Sequence, residues 1–214
     1  MIVSSMVKNG AILTAFALVT TGAVTLVQQF TAPTIAVQEK KQLQGLLHQV
    51  LPEPAYDNEL YLDCTVVTDP ELGSNEPHTV YRARNQGEVI ALVMQSTAPN
   101  GYSGNIELLS AIYPDGTVAG VRVTKHNETP GLGDKVEPKR SDWINSFSQQ
   151  QVLNAGDNRW AVKKDGGMFD QFTGATITPR AVVGAVKNTV IYAQAHFSEL
   201  ANAANSCEVA QSNE

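Results

Sequence analysis

Two short stretches hold most of the side chains that could do chemistry. The first, His126-Asn127-Glu128-Thr129-Pro130-Gly131-Leu132-Gly133, mixes a titratable ring, a carboxylate and a hydroxyl with glycines that let backbone approach a ligand. The second runs Asp165-Gly-Gly-Met-Phe-Asp170-Gln-Phe-Thr173-Gly174-Ala175-Thr176-Ile177-Thr178-Pro179-Arg180 and crowds hydroxyls and glycines into one loop. Thr178 is a good N-cap and Pro179 suits a first helical position, so a helix is expected from there through Val183, Val186, Val190, Ala193, Phe197 and Leu200. Thr176 would then precede a helix N-terminus whose free N–H groups suit a phosphate, with the Arg180 guanidinium adding a full charge. Any capped helix after a turn shows this pattern, so alone it assigns no ligand. His126 with Glu128 alone is likewise a weak metal or acid–base signal, since polar loops of this kind commonly only turn the chain. Ahead of both, Tyr102-Ser103-Gly104 offers an aromatic ring beside flexible backbone, suited to stacking on a flat cofactor or to packing.

The rest of the composition removes other chemistries. A net charge of -6 over 214 residues leaves no basic patch to displace counterions, which excludes nucleic acid as a partner. Cys64 and Cys207 lack the close spacing of a zinc or iron–sulfur site. Neither a Ser-His-Asp set, a Cys-His pair nor paired carboxylates stand out, so no catalytic residue is assigned and no metal is expected.

The elements that must position the two stretches are legible in outline. From Gly10 to Phe30 the chain is apolar and uncharged, long enough to cross a hydrocarbon core of about 30 Å. Lys8 ahead of it favours a cytoplasmic N-terminus. The rival reading is a cleaved signal peptide; the poor cleavage site at Phe30-Thr31-Ala32-Pro33 argues for an anchor occupying residues 1–32. A connecting segment, 33–58, contains an amphipathic helix from Val37 to Leu51 with Leu43, Leu46, Leu47, Val50 and Leu51 on one stripe, ended by Pro52, either docked on the domain or lying near the membrane. A domain over 59–205 follows, then a tail over 206–214. Its period-two runs predict strands at Leu60–Val67, Thr79–Arg84 and Val89–Gln95, and a hairpin of Ile106–Tyr113 with Thr117–Lys125 around Pro114-Asp115-Gly116. Ser141 should cap a short helix through Trp143, Ile144 and Phe147, and Trp160–Lys163 reads as a short strand. Hairpins ahead of helices without βαβ alternation indicate an α+β fold, an antiparallel sheet flanked by helices.

The combination H-x-E-T-P-G-L-G, followed by D-x-x-T-G-A-T, resembles the FMN-binding domain family whose members carry flavin bonded covalently to threonine. The resemblance implies covalent FMN as cofactor, attached through its phosphate to Thr176. Asp170, Thr173, Gly174 and Ala175 match the remainder of the motif that a dedicated flavin transferase recognises. It further implies that Tyr102, His126, Glu128, Thr129, Leu132 and Gly133 belong to the flavin site, with Thr178 and Arg180 beside the phosphate. Span, length and motifs together are similar to the G-type subunits of Rnf (Rsx) ion-translocating electron-transport complexes. The C-type subunits of sodium-translocating NADH:quinone oxidoreductases share the anchor, domain and motif, and length favours the former.

Three functions are compatible with these readings. One is an electron carrier with covalent FMN, single-pass in the inner membrane, flavin domain on the periplasmic side, partnered by other subunits of the complex. Another is a non-redox extracytoplasmic binding or scaffold module in which Thr176 merely precedes a helix. A stand-alone flavoenzyme is the third and lacks catalytic residues in the sequence. In a periplasmic setting Cys64 and Cys207 either pair as a disulfide or remain separate thiols.

Overall fold

A computed structural model describes residues 2–52 and 55–207. By its internal contacts the chain divides into two units, Met1–Leu43 and Gln44–Glu214. Residues 53–54 of the connecting segment and 208–214 of the tail lie outside the described residues.

Helix α1 spans Ile2–Val50. Its Met6–Ala32 stretch has a mean hydropathy of 1.9 and is long and apolar enough to cross a membrane, and Phe16, Leu18 and Val19 are exposed along it. The anchor and the amphipathic segment, expected as separate elements, form one helix. A proline at position 33 removes a single ladder hydrogen bond, and in a helix this long the bonds on either side hold the axis together.

In the second unit the last turn of α1 buries Leu47 and Val50, and Leu51 just after it is buried too. The strands form an antiparallel meander in chain order: β1 Cys64–Val67, β2 His78–Asn85, β3 Glu88–Gly101, β4 Gly104–Ile112 and β5 Val118–Lys125. Gly120 on β5 admits the end of α1, because a Cβ there would lie 2.6 Å from the Val50 carbonyl oxygen. The β4–β5 turn forms as its Pro-Asp-Gly sequence predicts, with Gly116 at φ +81° and Asp115 Oδ1 accepting the Thr117 N–H at 2.9 Å. Helix α2, Ile177–Asn202, packs across β3 and β4 through Val182, Val183, Val186, Val190 and Ala193. Opposite them stand Leu92, Met94, Ala98, Ile106 and Leu108 from the sheet. Burying the valine, leucine, isoleucine and methionine side chains among them, at about 1.5–3 kcal/mol each, is the main force holding helix to sheet.

Several sequence expectations need correction. The first strand begins at Cys64 rather than Leu60, because Leu60–Leu62 winds as a 3₁₀ turn that buries Leu60. Strand β3 runs six residues beyond Gln95, to Gly101, since its polar end pairs with β4 across a bulge between Ala98 and Gly101. Trp160–Lys163 is no strand; Val162 makes one isolated bridge to Phe169, and a 3₁₀ turn follows at Lys163–Asp165. Its alternation reflects Trp160 and Val162 entering the core from a loop. The short helix after Ser141 is a 3₁₀ helix, Asp142–Phe147, capped by the Ser141 hydroxyl on the Trp143 N–H as expected.

The C-terminal end of α2 is tied to the sheet edge. Cys64 and Cys207 form a disulfide, Asn205 Oδ1 accepts the Cys64 N–H, and Ser206 donates its N–H to the Cys64 carbonyl. Beside it Arg82 is almost wholly buried against Asp63 at 2.6 Å and donates to the Ala203 carbonyl, so the buried charge is both paired and hydrogen-bonded.

Candidate functional site

The two motif loops meet because each is pinned from behind. The Asp165–Thr176 loop is held by Phe169 and Phe172, which enter an aromatic cluster: Phe169 stacks 4.5 Å from Phe147, and Phe172 meets Trp143 edge-on at 5.0 Å. Trp143 Nε1 donates to the Asp170 carbonyl at 2.7 Å. Gly174 turns the chain at φ +81°, and α2 starts soon after with Thr176 as its N-cap. The helix therefore begins earlier than Thr178 and Pro179 indicated. Thr178 lies inside its first turn, fully buried, and its hydroxyl donates to Glu128 Oε2 instead of capping the helix.

The other loop leaves β5 at Lys125. Glu128 is buried, and its other carboxylate oxygen accepts the Ser103 N–H at 3.0 Å. The Thr129 carbonyl accepts the N–H groups of Leu132 and Gly133, both at 3.1 Å, closing a tight turn with Gly131 at φ +79°. Gly133 has no room for a side chain: a Cβ there would sit 2.7 Å from Glu128 Oε2 and 2.9 Å from the Thr178 hydroxyl.

Between the loops lies a cavity of about 250 Å³ lined by Tyr102, Glu128, Thr129, Leu132, Gly133, Gly174, Ala175, Thr176, Ile177 and Thr178. Residues far apart in sequence thus share one wall. Tyr102, Leu132 and Ile177 are exposed apolar groups, at 67, 43 and 46%. They give a flat ring an apolar surface beside a buried carboxylate and hydroxyl. Thr176 is half-buried, and its hydroxyl makes no capping bond although it occupies the capping position. It is an N-cap side chain left available to another partner at the positive end of a helix.

Other candidates from the sequence stand apart from the cavity. Asp170 points to Lys163 Nζ at 2.6 Å, and Thr173 is exposed without lining the cavity. His126 does not line the cavity and pairs with Glu137 at 2.8 Å. Arg180 makes a two-pronged ion pair with Asp165, 2.6 Å on each prong, and lines a second cavity of about 540 Å³ on the other side of Ile177. The Arg180 guanidinium lowers the Asp165 carboxyl pKa, and Asp165 raises that of Arg180. Exposure on both sides makes the pair worth little in stability.

Sequence reasoning overlooked Ile177 and the backbone N–H of Ser103. Ile177 was findable as an exposed apolar residue beside the threonine motif. The Ser103 contact was not, because a backbone donor carries no side-chain signature.

Residues 101–191, which include both loops, match the FMN-binding domain model, and residues 1–50 match the model of the RnfG N-terminal region. The G subunit of the ion-translocating oxidoreductase complex of Pseudoalteromonas atlantica is 51% identical over 201 residues, covering 94% of each chain. Its counterpart in Vibrio vulnificus is 48% identical over 94% of this chain and 95% of its own. That of Shewanella loihica is 49% identical over 96% of this chain and 97% of its own. The chain belongs to the family of G subunits of ion-translocating oxidoreductase complexes and contains an FMN-binding domain.

Proposed function

We propose that this protein is a membrane-anchored electron carrier whose FMN is esterified through its phosphate to Thr176. The observation that carries the reading is the free Thr176 hydroxyl, beside a cavity built from both motif loops at the N-terminus of α2. The first-turn N–H groups and the helix dipole offset the charge of a phosphodiester there. Arg180 is one turn away, and its exchange from Asp165 to the phosphate would add to that effect.

The residues present fit the group. Tyr102, Leu132 and Ile177 offer the apolar faces a flat ring needs, while Glu128, Thr129 and Thr178 supply hydrogen-bonding groups. The cavity is smaller than the roughly 300–1,000 Å³ of pockets that enclose a ligand. A covalent tether makes full enclosure unnecessary, and a half-open ring is accessible to redox partners. Bound FMN supplies the electron chemistry; the protein's part is to hold it and set its potential. No general base contacts Thr176 Oγ1 among the described residues, so activation of the hydroxyl falls to a flavin transferase. The other subunits of the complex supply the electron donor and acceptor.

The Met6–Ala32 stretch supports a single span in the inner membrane. The Cys64–Cys207 disulfide supports a periplasmic flavin domain, because such bonds persist in oxidising compartments. Protease added to intact spheroplasts should digest the domain; protection would place it in the cytoplasm. The flavin assignment is tested by producing wild type and Thr176→Ala with the native transferase. A fluorescent band in a denaturing gel is expected for wild type alone, and equal fluorescence in both would overturn the assignment.

A further inference from the structure

His126 does not line the cavity, yet it is joined to it by a short relay. Its Nδ1 accepts the Glu128 backbone N–H at 3.0 Å, and its Nε2 donates to Glu137 Oε1 at 2.8 Å. An accepting Nδ1 places the ring proton on Nε2, and the Glu137 carboxylate holds the ring in that tautomer. The His126 side chain is 11% exposed, so water competes poorly for its Nδ1, while the Glu137 carboxylate that holds its other nitrogen is 40% exposed. Glu128 is in consequence fixed at three points: its N–H by His126, one carboxylate oxygen by the Ser103 N–H, the other by the Thr178 hydroxyl.

We propose that His126, held by Glu137, is a positioning residue for the flavin site. It acts through the Glu128 main chain to set where the Glu128 carboxylate and the Thr129–Gly133 turn meet the cofactor. The inference rests on the reading that this cavity holds FMN tethered at Thr176. Without the Nδ1 acceptor, the amide of the buried Glu128 loses its partner. The loop can relieve this only by turning the amide toward water, which withdraws the carboxylate from the ring. The Asp165–Thr176 loop has its own anchors at Phe169 and Phe172, so attachment itself is unaffected.

The test uses the full chain in detergent, made with its native transferase, as wild type, His126→Ala and His126→Asn. Asparagine places a carbonyl oxygen near the position of Nδ1 but does not reach Glu137. All three should carry covalent flavin. His126→Ala should alter the flavin absorption spectrum and midpoint potential, and His126→Asn should restore both toward wild type. A spectrum and potential in His126→Ala identical to wild type would overturn the role of His126. Failure of His126→Asn to restore them in a protein of wild-type thermal stability would overturn the Nδ1 acceptor as its means. Should His126→Ala not fold, the decision passes to Glu137→Ala, which frees the ring without removing it and should alter the spectrum in the same sense; an unaltered spectrum there would overturn the proposal. Wild type without flavin at Thr176 would instead overturn the reading beneath it.

Discussion

Replacing Thr178 by valine keeps the branched shape of the side chain and removes one hydroxyl, the partner of Glu128 Oε2. Both residues are buried, Thr178 completely and Glu128 to within 5% of its surface, so water has little access to the abandoned oxygen. A hydrogen bond to a charged group contributes about 1.5–3 kcal/mol, and an unsatisfied buried acceptor costs about 1–3 kcal/mol. The two figures describe the same loss, and about 2 kcal/mol is the expected destabilisation. For a domain of this size that lowers Tm by about 4–8 °C, readable in detergent through the buried Trp143 and Trp160. Loss of an ordinary N-cap would act differently: it would cost about 1 kcal/mol and be independent of Glu128. Combining Thr178→Val with Glu128→Gln separates the two cases, because contacting residues are non-additive. Coupling above about 0.5 kcal/mol is expected. A Thr178→Val protein as stable as wild type, or strict additivity with Glu128→Gln, would refute the reasoning.

Other perturbations test the surroundings of the site. Gly133→Ala drives a methyl into Glu128 and Thr178 and should cost about 1–3 kcal/mol in chemical denaturation; wild-type stability would show that the loop yields freely. Cys64→Ser opens a link across a sequence separation of 143 and should cost about 2–5 kcal/mol in chemical denaturation, an effect that added reductant should reproduce in wild type. Asp157 is held below the usual carboxylate range, chiefly by the Arg159 side chain and then by the Leu153 and Arg159 N–H groups. A depressed folded-state pKa gives stability that is present above the unfolded value of about 4 and is lost as pH falls below it, so Asp157→Asn should flatten the acid limb of the stability profile.

The fold was legible where local chemistry decides it. Pro114-Asp115-Gly116 specifies its own turn, and Ser141 caps whatever helix follows. Legibility failed where tertiary pairing overrides local preference. The polar, proline-containing run from Ser96 to Asn100 reads as loop, yet its alignment with β4 makes it strand. Thr178 looks like a cap by type, but a buried carboxylate fifty residues away claims its hydroxyl. The site shows the same division. That Glu128 and Thr176 line one cavity is carried in the sequence only by the pairing of two family motifs, since nothing in either loop alone indicates the other. Arg180 was expected to face the phosphate because it sits in the first turn; the competing carboxylate of Asp165 reaches it first. The family resemblance alone implies His126 at the flavin, since a lone ring in a polar loop is a weak signal; in the structure its two nitrogens serve the backbone and Glu137.

The measurement that bears most directly on the flavin assignment is peptide mass mapping of the full chain purified from cells that contain the native flavin transferase. The peptide holding Thr176 should be heavier by FMN less one water, with fragmentation placing the addition on Thr176 itself. A flavin-free chain, or an addition on Thr173, Thr178 or any other residue, would contradict it.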